Sequence, residues 1–481
     1  MARSASFEVG IVAAADRPAV SVRVARILGT TIYVVLLCQI VLTAIPYGTS
    51  QPWWIAAFVA IVFALAILWL VEGTISQSWF ADSWPLILPA AALALFSFLQ
   101  TVPFGNRNDT PAGISYPPWN AISSDPYQTR FFALLLLALT LSGIMLARYA
   151  ASEKRLRIVI DVVIGVAVAS ALFGILRQTT QTGHEGFGLP LLFPWTGYGQ
   201  FINRNHFPYL MEMSLGLILG LILGHGVKRD RGLLYFAALL PIWTGLVLSG
   251  SRGGLIAMLV QLVAAAFLFS FVRRRDVPDG PPARIVQLTR SLPIRVALVL
   301  TLIGGIVLGT LWLGGDQLAT RIEQSRNELA ADTTGLRWGV SRNDIWKATW
   351  QMFKTHPVLG VGMGGYWAAI PAFHDASGTM TPQEAHNDYL ELLASGGVVG
   401  FALALWFAAV VFKRTRENLS APNRFRRAAC FGAAIGIAGV AVHSLVDFGL
   451  HTIVNALVFT TLIVIATSKP HWGNEPAKQY D

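Results

Sequence analysis

The sequence predicts an all-α, polytopic integral membrane protein with about twelve transmembrane helices and one large extracytoplasmic loop between spans 9 and 10. Composition is the first observation: 54% of the 481 residues are hydrophobic and 13% are charged, and the mean hydropathy is +0.56. Apolar runs of about 18 or more residues are the second, because each can cross a hydrocarbon core of roughly 30 Å as a helix. The third is that basic residues gather in alternate loops, as multi-pass topology requires.

These runs divide the chain into five parts. Residues 1–26 are arginine-rich and no small-residue cleavage site follows the first apolar run, so we interpret them as a cytoplasmic tail and not as a cleaved signal peptide. Residues 27–313 hold spans 1–9, residues 314–388 form the large loop, residues 389–467 hold spans 10–12, and residues 468–481 form a second cytoplasmic tail. The predicted spans are 27–45, 53–71, 85–102, 131–147, 158–176, 207–224, 232–248, 254–272, 295–313, 389–412, 428–450 and 452–467.

Basic residues set the orientation. They cluster in the loops at 148–157, 228–231, 273–290 and 413–427, which the twelve spans place on one side together with both termini. The positive-inside rule makes that side the cytoplasm. Topology thus accounts for most of the net charge of +10, and a nucleic-acid partner is not needed. Cys38 and Cys430 fall within apolar spans, so neither a disulfide framework nor a metal cluster is predicted.

The large loop contains two local patterns. Residues 343–353 place Ile345, Trp346, Trp350 and Phe353 on one stripe, which predicts an amphipathic helix lying on the outer membrane surface. The glycine-rich residues 359–365 resemble a phosphate-binding loop only superficially, because no strand precedes them and no Lys-Ser/Thr pair follows. We interpret them as a turn with close backbone packing.

Three polar clusters share the outer side of the predicted topology. Asn-Arg-Asn-His at 203–206 precedes span 6, Ser-Gly-Ser-Arg-Gly-Gly at 249–254 joins spans 7 and 8, and His386-Asn387 opens span 10. At 100° per residue, His386 would share a helix face with Gly397 and Gly400, where another helix could approach closely.

The residue types in these clusters suit phosphate and hydroxyl chemistry. Arg252 could be an interfacial anchor that snorkels to the membrane surface, but its fork of donors also matches phosphate oxygens, and the two glycines after it would let a ligand approach the backbone. A neutral imidazole can take a proton from a hydroxyl. The sequence therefore predicts a transferase that moves a lipid-linked group to an alcohol on the outer side of the membrane, and no cofactor is predicted. The predicted catalytic residues are His386 and Arg252, and the predicted substrate-binding residues are Arg204, Asn203, His206, Ser251 and Asn387.

Ionisable residues within spans leave two other function classes open. His443 and Asp447, four apart on span 11, should face the same way, and Glu212 lies in span 6. They could form the proton relay of a transporter or lipid flippase, or His443 and Asp447 could be a mutually satisfied structural pair. The absence of a convincing internal repeat weighs against transport. A non-enzymatic scaffold for polysaccharide assembly is the third class.

The order of motifs is similar to that of the O-antigen ligase and polymerase superfamily. The resemblance rests on Asn-Arg-Asn-His-Phe before span 6, Ser-Arg-Gly-Gly after span 7, the large loop with Pro-Val-Leu-Gly-Val-Gly at 357–362, and the motif that begins at His386. In those ligases the motif begins with His, followed by one of Asn, Ser or Gln. Nine residues of any type come next, then Gly, then two residues of any type, and finally one of Gly, Thr or Tyr. Here it runs from His386-Asn387 through Gly397 to Gly400.

The resemblance implies a metal-independent glycosyltransferase of the bacterial inner membrane. Such an enzyme takes a glycan from an undecaprenyl pyrophosphate carrier on the periplasmic face. In lipopolysaccharide biosynthesis it passes the glycan to a lipid A core sugar. In other relatives the acceptor is a growing polysaccharide, such as an exopolysaccharide, or a protein hydroxyl. By resemblance, His386 would activate the acceptor hydroxyl, Arg252 and Arg204 would bind the pyrophosphate, and the anomeric centre would invert. Ligase and polymerase share the motif, so both remain open.

Overall fold

The computed structural model describes residues 19–45, 47–77, 84–103, 121–180, 185–186, 189–190, 197–273, 342–374 and 382–468. These residues form thirteen α-helices, one two-stranded antiparallel ribbon and three short 3-10 turns. The helices are α1 Ala19–Ala44, α2 Pro52–Ser76, α3 Trp84–Leu99, α4 Pro126–Tyr149, α5 Glu153–Thr180, α6 Phe207–Leu223, α7 Arg229–Leu248, α8 Arg252–Arg273, α9 Arg342–Thr355, α10 Tyr366–Ala369, α11 Asp388–Asn418, α12 Arg424–His443 and α13 Ile453–Thr467. The ribbon pairs β1 Glu185–Gly186 with β2 Leu189–Pro190.

The all-α multi-pass prediction is confirmed. Seven described helices, α1, α2, α4, α5, α7, α11 and α12, are long and apolar enough to cross a membrane, and α3, α6, α8 and α13 are shorter apolar helices. Together they match eleven of the predicted spans. The ninth predicted span, at residues 295–313, lies outside the described residues, as do most of both predicted tails, so the count of twelve stays a prediction.

Contacts between helix ends separate the described loops into two faces. At one face, Asn423 at the start of α12 donates a hydrogen bond to Glu153 of α5 at 3.0 Å, and the Arg157 guanidinium lies 4.0 Å from the centroid of the Phe425 ring. At the other, which we call the site face, Asn455 of α13 donates to the carbonyl of His206 at 2.9 Å. Two of the basic loops that were predicted to share one side, those at 148–157 and 413–427, therefore do meet. Residues 274–290 lie outside the described residues. Which face is cytoplasmic stays a prediction.

Glycines set the closest helix pair, α6 against α12. A Cβ on Gly216 would lie 2.4 Å from the backbone nitrogen of Gly436, and one on Gly220 would lie 2.2 Å from the backbone of Gly432. Glycines four residues apart lie on the same helix face, so two such rows let the two backbones touch. This contact fixes the end of α12 against the start of α6 at the site face.

The glycine-rich turn at residues 359–365 packs its backbone into a break in α11. Gly397 has φ 60° and ψ −165°, which interrupts the helix. The carbonyls freed by the break, those of Ala394 and Ser395, accept hydrogen bonds from the amides of Val361 at 3.1 Å and Gly362 at 2.9 Å. Close backbone packing of this turn is therefore confirmed. What approaches Gly397 is a loop and not another helix.

Helix α9 confirms the predicted helix within the large loop, but its buried face differs from the predicted stripe. Ile345, Ala348 and Met352 are buried, whereas Trp350 is 46% exposed. Ala348 and Met352 pack in a small core of the loop with Tyr366 and other residues of the neighbouring turn and of α11. The helix is thus held by the protein itself, and its predicted place on the membrane surface stays a prediction.

Candidate functional site

The turn between α12 and α13, residues 444–452, gathers the three predicted polar clusters, and we call it the hub turn. The amide of Asp388 donates to the carbonyl of Ser444 at 2.9 Å, which attaches the segment of His386. Asn455, just after the hub turn, holds the carbonyl of His206. A Cβ on Gly253 would lie 2.7 Å from the His443 ring and 2.9 Å from Val446, which places the segment of Arg252 alongside. Topology alone put the clusters on one side, and the hub turn brings them into contact.

Asp447 of the hub turn is the centre of the site. One carboxylate oxygen, Oδ1, lies 3.8 Å from Nε2 of His206 and 3.8 Å from Nδ1 of His386. The other, Oδ2, accepts a hydrogen bond from Arg342 at 3.1 Å. Burial by itself would raise the pKa of this carboxyl, but the contacts with His386 and Arg342 outweigh it and lower the pKa to about 2. Asp447 is therefore an ionised carboxylate near neutral pH.

His386 is the histidine of the site that a substrate can reach. Its side chain is 30% exposed, and its ring packs edge-on against Phe448 with centroids 4.8 Å apart. Its backbone is in the left-handed region at φ 50°, which an L-residue other than glycine adopts rarely. The residue thus precedes α11 and does not lie on it, so the predicted helix face shared with Gly397 and Gly400 is wrong. With Nδ1 directed to Asp447, the second ring nitrogen is left for a substrate.

His206 is a buried, neutral imidazole. Asn203 accepts the amide hydrogen of Asn205 through Oδ1 at 2.9 Å, so its NH₂ group is the one that faces Nε2 of His206, 3.2 Å away. An amide NH₂ can only donate, so Nε2 accepts and the ring proton sits on Nδ1. Burial lowers the pKa of His206 to about 4, against a smaller opposing attraction from Asp447. Its Nε2 lone pair is occupied, so His206 packs the site and is not its base.

Arg252 is exposed at the first residue of α8. Ser251 Oγ accepts the amide hydrogen of Gly254 at 3.2 Å and so caps the helix. The sequence suggested that the two glycines after Arg252 let a ligand approach the backbone. The structure shows that they do not. A Cβ on Gly253 would meet His443, and one on Gly254 would lie 2.6 Å from Pro208. Helices α12 and α6 fill this space, so the glycines serve packing.

The other two predicted substrate-binding residues lie beside the centre. Arg204 is half-buried in the turn that carries Asn203 and His206. Asn387 follows His386 and caps α11, because its Oδ1 accepts hydrogen bonds from the amides of Tyr389 at 3.1 Å and Leu390 at 3.0 Å. Its side chain is engaged in this cap, and its contact with substrate stays a prediction.

The predicted pairing of His443 with Asp447 is wrong. Helix α12 ends at His443, so the four-residue spacing no longer places the two side chains on one face. His443 instead bonds Glu212 of α6, Nδ1 to Oε1 at 2.8 Å with both side chains fully buried, and its ring stacks on Tyr209 at 4.2 Å between centroids. Of the three residues proposed for a proton relay, His443 and Glu212 thus pair with each other, and Asp447 has other partners.

A second ionisable cluster, which the sequence did not reveal, surrounds His451, whose ring also contacts Phe448. His451 of the hub turn lies 3.4 Å from Glu384, 3.5 Å from Asp388 and 3.9 Å from Glu391. These carboxylates raise the pKa of His451 well above its ordinary value, against the opposing effect of burial. Ligand atoms of Glu384, Glu391 and His451 lie within 4.8 Å of one another and could hold a metal ion. Glu391 also accepts the amide hydrogen of Ala385 at 2.8 Å.

Sequence reasoning missed Arg342 and His451, and it assigned Asp447 to a different pair. Arg342 lies in a polar loop with many charged neighbours, and nothing in its spacing connects it to a residue 105 positions away. Asp447 did carry a signal, because an ionisable residue in an apolar stretch is a functional candidate. Its partners could not be read without knowing where α12 ends.

The fold and the site define a multi-pass membrane protein with a histidine, carboxylate and arginine centre at one end of its helix bundle. Residues 236–405, which include Arg252 and His386, match the family model described as O-antigen ligase. This match supports membership of the O-antigen ligase superfamily. No curated protein matches the chain.

Proposed function

We propose that the protein is an inverting glycosyltransferase of the periplasmic face of the bacterial inner membrane. It takes a glycan from an undecaprenyl pyrophosphate carrier and transfers it to a sugar hydroxyl of a lipid A core or a growing polysaccharide. One observation carries the proposal: the accessible imidazole of His386 lies 3.8 Å from the buried carboxylate of Asp447. The segments that bear Arg204 and Arg252 pack against the same hub turn.

In the proposed reaction His386 is the general base. Asp447 holds the ring with its proton on Nδ1, and a distance of 3.8 Å can shorten to a hydrogen bond when substrate binds. Nε2 takes the proton of the acceptor hydroxyl as its oxygen attacks the anomeric carbon. The bond from that carbon to the pyrophosphate oxygen breaks, and its electron pair leaves with the pyrophosphate. Attack opposite the leaving group inverts the anomeric centre.

Arg252 and Arg204 would hold the pyrophosphate and stabilise the charge that develops on it. Guanidinium groups form paired, charge-assisted hydrogen bonds with phosphate oxygens, and no metal ion is required for this role. Arg342 neutralises Asp447 at Oδ2, so the carboxylate does not repel the incoming donor. No residue of this machinery needs a cofactor.

The test is the release of undecaprenyl pyrophosphate from a lipid-linked oligosaccharide by the purified protein in lipid nanodiscs. His386→Asn removes the base but tolerates the left-handed backbone, because asparagine is enriched there. His225→Asn is the matched control, since His225 has φ 51° and is exposed at the other end of α6. We expect His386→Asn to lower the rate by about 100-fold or more, the usual contribution of a general base, and His225→Asn to retain it.

The products and the variant separate the alternatives. A ladder of lengthening glycans would identify a polymerase, and a single transfer to lipid A core a ligase. A His386→Asn protein that keeps its full cellular function would instead support the scaffold. Movement of a solute or lipid in liposomes that Glu212→Gln abolishes would support the transporter, which is the weaker candidate because its residues do not converge.

A further inference from the structure

A long apolar groove opens beside the second ionisable cluster. It has a volume of about 1960 Å³ and is lined mainly by apolar residues of α4, α11, α12 and α13. Its lining extends from Glu384 and His451 at the site face to Arg416 and Leu419 at the far end of α11. The groove therefore follows most of the 31 residues of α11, a length of about 46 Å at 1.5 Å per residue, enough to cross a bilayer core.

The mouth of this groove at the site face is acidic and aromatic. Glu384, Asp388, Glu391 and His451 all line it. Trp367 lines it too and is 50% exposed. Both carboxylate oxygens of Asp388 are buried and accept no hydrogen bond in the described part of the chain. Carboxylates accept hydrogen bonds from hydroxyl groups, and an exposed indole offers an apolar face to a sugar ring. The mouth thus has the chemistry of a neutral glycan site.

Phe448 lies among the three histidines that connect this mouth to the Asp447 centre. Its ring contacts His206 and His386 at centroid distances of 4.7 and 4.8 Å and His451 at 5.5 Å. Asp447 and Arg342 lie with His206 and His386, and none of these four lines the groove. The one arginine among the described lining residues is Arg416, at the opposite end of the groove. A pyrophosphate group is therefore matched by the arginines, whereas the described residues at the groove mouth offer it His451 alone, among three carboxyl groups.

We propose that the groove binds the acceptor, a lipid-anchored glycan whose acceptor sugar carries no phosphate. Its tail lies along α4 and α11, and its sugar binds Glu384, Asp388 and Trp367 at the mouth. This inference rests on the proposed transferase function and assigns a separate binding location to each of the two substrates. Donor pyrophosphate binds at the arginines and acceptor at the groove mouth, with His386 between them. Inverting displacement requires this order, because the attacking oxygen and the leaving group lie on opposite sides of the anomeric carbon.

A binding experiment tests the groove without catalysis. A photoreactive benzophenone amino acid replaces Ala404, which lines the groove, or its neighbour Leu405, which does not line it and is 55% exposed. Each protein in phospholipid nanodiscs receives either a prenyl-anchored neutral trisaccharide or undecaprenyl pyrophosphate. We expect the label at position 404 to capture the trisaccharide lipid in preference to phospholipid, and the label at 405 to capture mainly phospholipid. Glu384→Gln should reduce capture of the trisaccharide lipid.

Two results would overturn the proposal. Preferential capture of undecaprenyl pyrophosphate at position 404 would assign the groove to the donor, and equal capture of phospholipid at both positions would make it an ordinary lipid-facing surface. Because capture needs no turnover, both results are independent of whether the transferase reaction itself is found.

Kinetics give a second readout. Ala404→Trp should raise the KM for a lipid-anchored acceptor about tenfold, the effect of 1.4 kcal/mol of lost binding, and leave the KM for the donor unchanged. A rise in the donor KM would contradict the assignment. Leu405→Trp is the matched control and should change neither constant.

Discussion

Acidification should destabilise the protein through His206. The ring is buried, and Asn203 donates a hydrogen bond to its Nε2, so the folded state holds a neutral imidazole. Burial lowers the pKa to about 4 in the folded protein, whereas a histidine in an unfolded chain titrates near 6.5. The unfolded state therefore binds a proton at a higher pH than the folded state does. Between these two values, each proton added favours unfolding.

The magnitude follows from the two pKa values. His206 contributes its full stability above pH 6.5 and loses it as the pH falls towards about 4. At about 1.4 kcal/mol for each pH unit, the loss is about 3 kcal/mol. Asp447 acts in a lower window, because its pKa is lowered from 3.8 to about 2. The raised pKa of His451 removes stability only as the pH rises above 6.5. The stability that Asp447 and His451 contribute is therefore constant between pH 6.5 and 4.

The measurement is the free energy of unfolding in lipid-detergent micelles at several pH values between 7 and 4. The variant is His206→Gln, which keeps an acceptor for Asn203 but cannot be protonated. We expect the wild type to lose about 3 kcal/mol more than His206→Gln over this range. His225→Asn, on the opposite face, should behave as the wild type does. An equal pH dependence in His206→Gln and the wild type would refute the assignment of a neutral buried imidazole.

Three further predictions concern the site and the helix contact. Arg252→Lys keeps the charge but loses the fork, so the KM for an undecaprenyl pyrophosphate donor should rise about tenfold in the release assay; an unchanged KM would argue against pyrophosphate binding there. Asp447→Asn should lower kcat by about 100-fold or more, because the amide cannot stabilise a protonated His386; full turnover would show that Asp447 has no part in proton transfer. Gly220→Ala should lower the free energy of unfolding by about 1–3 kcal/mol through overpacking against α12, whereas Gly165→Ala, where a Cβ meets nothing within 4 Å, should change it by less than about 1 kcal/mol.

Much of the site could be predicted from local sequence. His386, Arg204, Arg252 and His206 stand out because polar residues at the ends of apolar runs are few, and alternating spans assign each end to a side. The close-packed glycine turn could also be predicted, since no strand or Lys-Ser/Thr pair accompanies it. These inferences use only neighbouring residues and the requirement that apolar helices cross the membrane.

Pairings failed where they depended on where a helix ends. The spacing of His443 and Asp447 implied a shared face only if α12 continued for four more residues. It ends at His443, which pairs with Glu212 instead. The same error affected His386, which lies one residue before the cap of α11 and in a left-handed backbone. Helix ends are set by caps and tertiary contacts, and periodicity does not show them.

The sequence by itself determined that the protein is a multi-pass helical membrane protein, because apolar length and charge distribution are properties of the chain alone. It also determined which polar segments share a side. Only the tertiary structure decided that Asp447 joins His206, His386 and Arg342, and that Phe448 contacts both His386 and His451. These contacts join residues far apart in the chain, 105 positions apart for Arg342 and Asp447. They exist because glycine rows bring α6 and α12 together, and the direction of each side chain beyond the helix ends follows from that packing.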